Sequence, residues 1–165
     1  SLIPLIGSTA YLCHESFLRQ IDRRDYLWAT FVWNLFDFGS DGRNEGNRPG
    51  MNDKGLVSFD RKVKKDAYYV YQSRWSKTPM LQIAQSRCIQ RKRAKTEIKV
   101  YSNTDAVTLF VNGKQISTKE QKKNKQPGIF RWKGCRLQKG KNKIIAIARA
   151  GSKELKSEAI WILAT

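Results

Sequence analysis

The 165-residue sequence predicts a mostly β chain: an all-β region forms its second half, and a shorter stretch of helix, buried strand, loop and helix precedes it. Three observations lead there. Ala29 to Phe36 is apolar and β-branched or aromatic at nearly every position, the pattern of a strand buried on both faces, and it runs into an acidic residue before glycine. From Met80 onward the hydrophobic period changes from helical to alternating, with turn signals between short runs. Charge shifts at about the same place: of a net +18, residues 1–77 carry +3 and residues 78–165 carry +15. The chain is therefore read as two parts, 1–77 and 78–165.

Leu12 to about Arg24 is the first helix candidate, because His14, Phe17, Leu18 and Ile21 fall at the spacing of one helical face and Ser8 or Thr9 is available as a cap. The strand follows at about 28–36. Gly39 to Gly50 has the composition of an irregular loop, and loops of that length are commonly functional. Asp60 is placed to cap a second helix running to about Arg74, with Val63, Ala67, Val70 and Tyr71 on one face. Pro79 and the residue before it disfavour continuation.

In the second part, residues 97–101, 107–111, 129–132, 143–149 and 159–163 read as strands, with 80–84 and 115–117 as two further candidates. Asn112-Gly113 is a two-residue hairpin signal that makes 107–111 and 114–117 neighbours. Short strands in that number, separated by turns, suggest an immunoglobulin-like β-sandwich of about 85 residues. Trp132 and Trp161 are expected in its core or in packing between domains.

Composition bounds the function. No apolar run approaches the roughly 20 residues of a membrane helix, and Ser1-Leu-Ile-Pro-Leu-Ile6 lacks the basic start and long apolar core of a secretory signal. Cys13, Cys88 and Cys135 are widely spaced and His14 is the single histidine, so no zinc pattern is present; Cys88 and Cys135 either pair or remain buried thiols. Neither a metal nor a cofactor is called for, and compartment is not legible. The basic runs Arg91 to Lys95, Lys119 to Lys125 and Lys139 to Lys143 fit solvated hairpin tips, where lysine also discourages edge pairing. A binding site for an acidic polysaccharide or nucleic acid is the second reading; under the first, neither a membrane nor a nucleic acid is expected as a partner.

Phe31-Val-Trp-Asn-Leu-Phe-Asp-Phe38, then Gly50-Met-Asn-Asp-Lys-Gly-Leu-Val-Ser-Phe-Asp-Arg-Lys62, then Lys65-Asp-Ala-Tyr-Tyr-Val-Tyr-Gln-Ser-Arg-Trp75 stand in the order shown by glycoside hydrolase family 2, the β-galactosidase and β-glucuronidase family. The sequence resembles that family where the last strand of the catalytic (β/α)8 barrel leads into its closing helix. A weaker likeness continues through Val100-Tyr-Ser-Asn103 and Leu109-Phe-Val-Asn-Gly113 to an immunoglobulin-like domain that follows the barrel. The resemblance implies the end of an incomplete barrel, since a whole one needs roughly 250 residues.

Retaining glycosidases use two carboxyl groups about 5–5.5 Å apart. Neither of the family's glutamates is identifiable here. Glu15 falls in the predicted helix, and Asn44-Glu45 follows the last strand rather than the fourth, so Glu45 is read as a loop residue lining the mouth of the site. The resemblance assigns Trp33 as the aromatic on which the sugar ring packs. Asn52 and Lys54 form an Asn-x-Lys element that would face a C6 carboxylate in a glucuronidase, or put Asn52 against the C6 hydroxyl in a galactosidase. Asp37 is left between an ion pair with Arg43 and a cap. The expectation is a carboxyl-terminal part of a β-galactosidase-like hydrolase, inactive alone, with a β-glucuronide as the alternative sugar and a basic interaction module as the alternative function. The exposed barrel segment is expected to self-associate.

Overall fold

A computed structural model describes residues 10–45, 48–117 and 126–164. The chain divides into two compact units, one ending at Val70 and one beginning at Tyr71.

The first unit opens with helix α1 (Ala10–Ile21). Its buried stripe is Tyr11, Glu15 and Leu18, spaced four and then three residues apart, whereas Phe17 of the expected face is exposed. The expected caps Ser8 and Thr9 lie outside the described residues. Residues 28–36 correct the sequence reading, because they form no sheet strand. A parallel strand draws its regular hydrogen bonds from neighbours on both sides. Among the described residues this stretch has a single bridge, Phe36 to Val57, and Trp28 and Phe31 are more than 90 % exposed. Expected loop residues 39–50 instead contain an antiparallel pair, β1 (Phe38–Glu45) and β2 (Arg48–Asn52), with irregular register around Asn44. Glycine-rich composition reads as a loop, yet an irregular two-stranded ribbon tolerates it.

Helix α2 runs Asp66–Trp75, starting five residues later than a cap at Asp60 would place it. Asp60 belongs to a turn: its carboxylate accepts from the Lys62 N–H at 3.1 Å, and the Val63 N–H donates to Ser58 Oγ at 3.0 Å. Arg61 is left-handed at φ 65°. Ala67, Val70 and Tyr71 are buried as expected; Val63 lies before the helix.

The second unit is a two-sheet sandwich. One sheet has the order β4-β10-β9-β6-β7 and the other β3-β5-β8. The strands are β3 (Leu81–Ile83), β4 (Gln90–Arg91), β5 (Lys95–Ser102), β6 (Val107–Val111), β7 (Lys114–Ile116), β8 (Ile129–Arg136), β9 (Gly140–Ala150) and β10 (Lys153–Leu163). Every strand read from the sequence for this unit is present; β9 and β10 are longer than their apolar centres, and β4 was not foreseen because two residues carry no period. The alternation is plain in β9, where Ile144, Ala146 and Ala148 are buried. They face Ile98, Val100 and Trp132 of the other sheet in one continuous core with Trp161. Trp132 and Trp161 are accordingly core residues. Ile83 N–H donates to Ser157 Oγ at 3.1 Å, tying the two sheets.

Asn112 and Gly113 hold φ of 51° and 80° in the hairpin between β6 and β7. Asn112 also bonds Lys143 through both its backbone and its Oδ1, and its Nδ2 donates to Asn142. Asn142, fully buried, fills its remaining positions with the backbone of Gln138 and Gly140. Cys13, Cys88 and Cys135 form no disulfide; Cys135 is buried and Cys13 exposed. No helix among the described residues is long and apolar enough to cross a membrane.

Candidate functional site

Residues 34–37, 55–57 and 63–65 run side by side in the first unit and carry the site. Leu56 N–H donates to Asn34 C=O at 3.0 Å, Val57 N–H to Leu35 C=O at 2.9 Å and Asp37 N–H to Val57 C=O at 3.0 Å. Lys65 N–H donates to Leu56 C=O at 2.8 Å. These bonds fix both ends of the turn Asn52-Asp53-Lys54-Gly55.

The turn is held from below by a buried ion pair that the sequence reading did not find. Lys65 Nζ donates at 2.6 Å to Asp37 Oδ1 and at 2.6 Å to the Asp53 carbonyl. Asp37 Oδ1 also accepts the Gly55 N–H at 2.9 Å, and Asp37 is 1 % exposed. Asp37 thus pairs with Lys65 rather than with Arg43. A lysine in the run Lys62 to Lys65 reads as solvated; the one clue was an acid at the end of an apolar stretch. Gly55 is required here: a Cβ would lie 2.1 Å from Asp37 N and 2.2 Å from Phe36 C, backbone atoms with no room to yield.

Of the three predicted sugar-facing residues, Asn52 is buried and its Oδ1 accepts the Lys54 N–H at 3.1 Å, an Asx turn that orders the loop. Trp33 is 72 % exposed and meets Phe38 edge-on at 6.0 Å between centroids. Phe38 is the register partner of Asn52 in the β1–β2 ladder, so the indole and the turn share one end of the unit. The Trp33–Asn34 peptide bond is cis.

Lys54 Nζ donates to Glu45 Oε1 at 2.7 Å, while Glu45 Oε2 accepts the Asp53 N–H at 2.9 Å and Arg43 lies 3.4 Å from Oε1. Hydrogen bonds from Lys54 and then from the Asp53 backbone hold the Glu45 carboxyl down at about 2. Burial first, then the hydrogen bond with Glu45, pushes the Asp53 carboxyl up. Glu45 is thereby a strand residue gripping the turn. Glu15 is buried in α1. The chemistry this arrangement offers is recognition: an aromatic face, a fixed amide, and an ammonium beside a backbone N–H that together hold the Glu45 carboxylate.

A β-sandwich that follows a small unit of helices and a two-stranded ribbon is the class of chain that the fold defines. A family described as "Domain of unknown function (DUF4982)" matches residues 93–155. A β-glucuronidase of Bacteroides fragilis is 44 % identical over 146 residues, covering 88 % of this chain and 20 % of that protein. A solved putative β-galactosidase, also from Bacteroides fragilis, matches 92 % of the chain and 22 % of its own at a TM-score of 0.85 and 32 % identity. An FMN-binding β-glucuronidase from Facaelibacterium prausnitzii matches 93 % of the chain and 22 % of its own at a TM-score of 0.77 and 40 % identity. The chain belongs to glycoside hydrolase family 2, is similar to β-galactosidases and β-glucuronidases of that family, and spans about a fifth of the length of the relatives it matches.

Proposed function

We propose that Trp33, Asn52 and Lys54 form one wall of the sugar pocket of a β-glycosidase, with both catalytic carboxylates supplied by sequence beyond these residues. Trp33 offers an indole face to the C–H face of a sugar ring, and Asn52 and Lys54 read the substituent at C6. One observation carries the reading of that substituent. The Lys54 ammonium and the Asp53 N–H already hold a carboxylate, that of Glu45, in a two-point grip. A uronate carboxylate has the same charge and shape, which favours a β-glucuronide, in keeping with the names of two relatives above. A β-galactoside is the second reading, supported by the likeness to a putative β-galactosidase and by a buried Asn52 suited to a C6 hydroxyl.

In the whole enzyme, Lys54→Ala is expected to lower kcat/KM on an aryl β-glucuronide by about 2–4 kcal/mol, because a buried anion loses its partner, and to leave an aryl β-galactoside nearly untouched. Unchanged glucuronide turnover with a sharp loss of galactoside turnover in Asn52→Ala decides for the second reading. Full activity on both substrates in Trp33→Ala and Asn52→Ala removes the wall altogether. The 165-residue chain by itself is expected to hydrolyse neither substrate above background, since the covalent route needs a nucleophile it does not present.

A further inference from the structure

The exposed cations Lys92, Arg93, Lys95, Lys133 and Arg136 lie on two segments bonded side by side at one end of the sandwich. Lys95 pairs with Arg136 and Thr96 with Cys135 in the β5–β8 ladder, and the Leu137 N–H donates to Ala94 C=O at 2.8 Å. β8 is an edge strand of its sheet. Lys95 and Arg136 are direct cross-strand neighbours, an arrangement of like charges that destabilises a sheet. Acids that could offset it are engaged elsewhere: Glu97 with Arg131 at 3.2 Å, Glu154 with Arg149, and Glu158 with Lys143 and Lys156. Among the described residues none of the five cations has an ion pair. Folding gives no reason for such an edge; an anionic partner does.

The kind of anion follows from what surrounds the charges. Single-stranded nucleic acid is bound by cations interleaved with aromatic rings on which bases stack. Among the described residues, the large apolar side chains well exposed in this unit are Trp75 and Ile89, outside both segments. Carboxylates spaced along a sugar polymer need only lysine and arginine. We propose that this edge binds an acidic polysaccharide through its uronate carboxylates. The proposal goes beyond the sugar wall and needs neither hydrolysis nor Trp33, Asn52 or Lys54.

The test is binding of a fluorescent hyaluronan oligosaccharide, which alternates glucuronate with an uncharged sugar, to the full 165-residue chain. Binding is expected to weaken steeply between about 50 and 200 mM salt, and the combined Arg93→Gln, Lys95→Gln and Arg136→Gln variant is expected to bind about tenfold more weakly or worse. Lys114→Gln, Lys141→Gln and Lys153→Gln together remove equal charge from exposed positions elsewhere on the sandwich and should change the Kd by no more than about twofold. Lys95→Glu alone should raise the melting temperature at low salt, by turning a like-charge pair into an ion pair, while weakening binding. No binding by the chain, an unchanged Kd in the first triple variant, or equal losses in both triple variants overturns the proposal. Tighter binding of a single-stranded oligonucleotide of matched charge overturns it in favour of nucleic acid.

Discussion

Glu45 and Asp53 touch one another and their pKa values shift in opposite directions, because hydrogen bonds from Lys54 and a backbone N–H dominate at Glu45 whereas burial outweighs the nearby Lys65 charge at Asp53. Lys54 and the Asp53 N–H stabilise the charged form of Glu45, lowering it from 4.5 to about 2, while burial penalises the charged form of Asp53. A carboxyl whose folded pKa is depressed contributes stability that is complete above its unfolded pKa and lost as pH falls through the folded one. The grip on the turn should therefore persist through pH 4 and 3 and fail near 2. Carbon-detected NMR titration of the Glu45 carboxyl is expected to show a midpoint near 2, moving up toward 4.5 in Lys54→Ala. A wild-type midpoint already in the ordinary glutamate range would show that the Lys54 contact is not populated. Asn52 and Lys54 were legible as a motif, whereas Asp37 and Lys65, which hold them, were not: their pairing spans 28 residues of sequence and exists only once three segments align.

At the scale of elements, the largest departure is residues 28–36. Composition there reports what the segment is suited to, burial on two faces, but burial is supplied by neighbours. With a single bridge to Val57, Trp28, Phe31 and Trp33 stand in solvent. An exposed apolar run with unpaired backbone is an aggregation-prone edge. The chain alone is expected to self-associate with rising concentration, measured by light scattering after gel filtration, and Trp28→Lys with Phe31→Lys should shift it toward the monomer. A monomer for the unsubstituted chain at high concentration would show that the segment covers itself. Sandwich strands behaved differently. β6, β9 and β10 each bury alternate residues against a core their own unit completes, so period alone located them.

Across the whole molecule, the two units differ in how much of their apolar surface they close. The sandwich has one continuous core from both sheets, and we propose that residues 78–165 form a domain able to fold without 1–77. Limited proteolysis is expected to cut first at 39–50 or 75–79 and leave a stable C-terminal fragment; expressed alone, that fragment should unfold cooperatively. Its melting when residues 1–77 are removed would make the two parts a single domain. The glycosidase family is evident from strings of residues such as Phe31 to Phe38 and Gly50 to Lys62, which are contiguous in the sequence and so legible without the fold.

What the sequence by itself determined is the β-sandwich, its Asn112-Gly113 hairpin, the core tryptophans and the family, all of which rest on local period, turn chemistry or contiguous motifs. Tertiary structure alone decided the rest. The glycine-rich stretch became the β1–β2 pair through cross-strand hydrogen bonds. Helix α2 started at Asp66 because residues 58–65 fold back on Leu56 and Val57. Asp37 and Lys65 met to hold the turn at residues 53–55, and Lys95 came to face Arg136. Each of these depends on residues distant in sequence meeting in space, and charge or composition read along the chain carries no record of who the partner is.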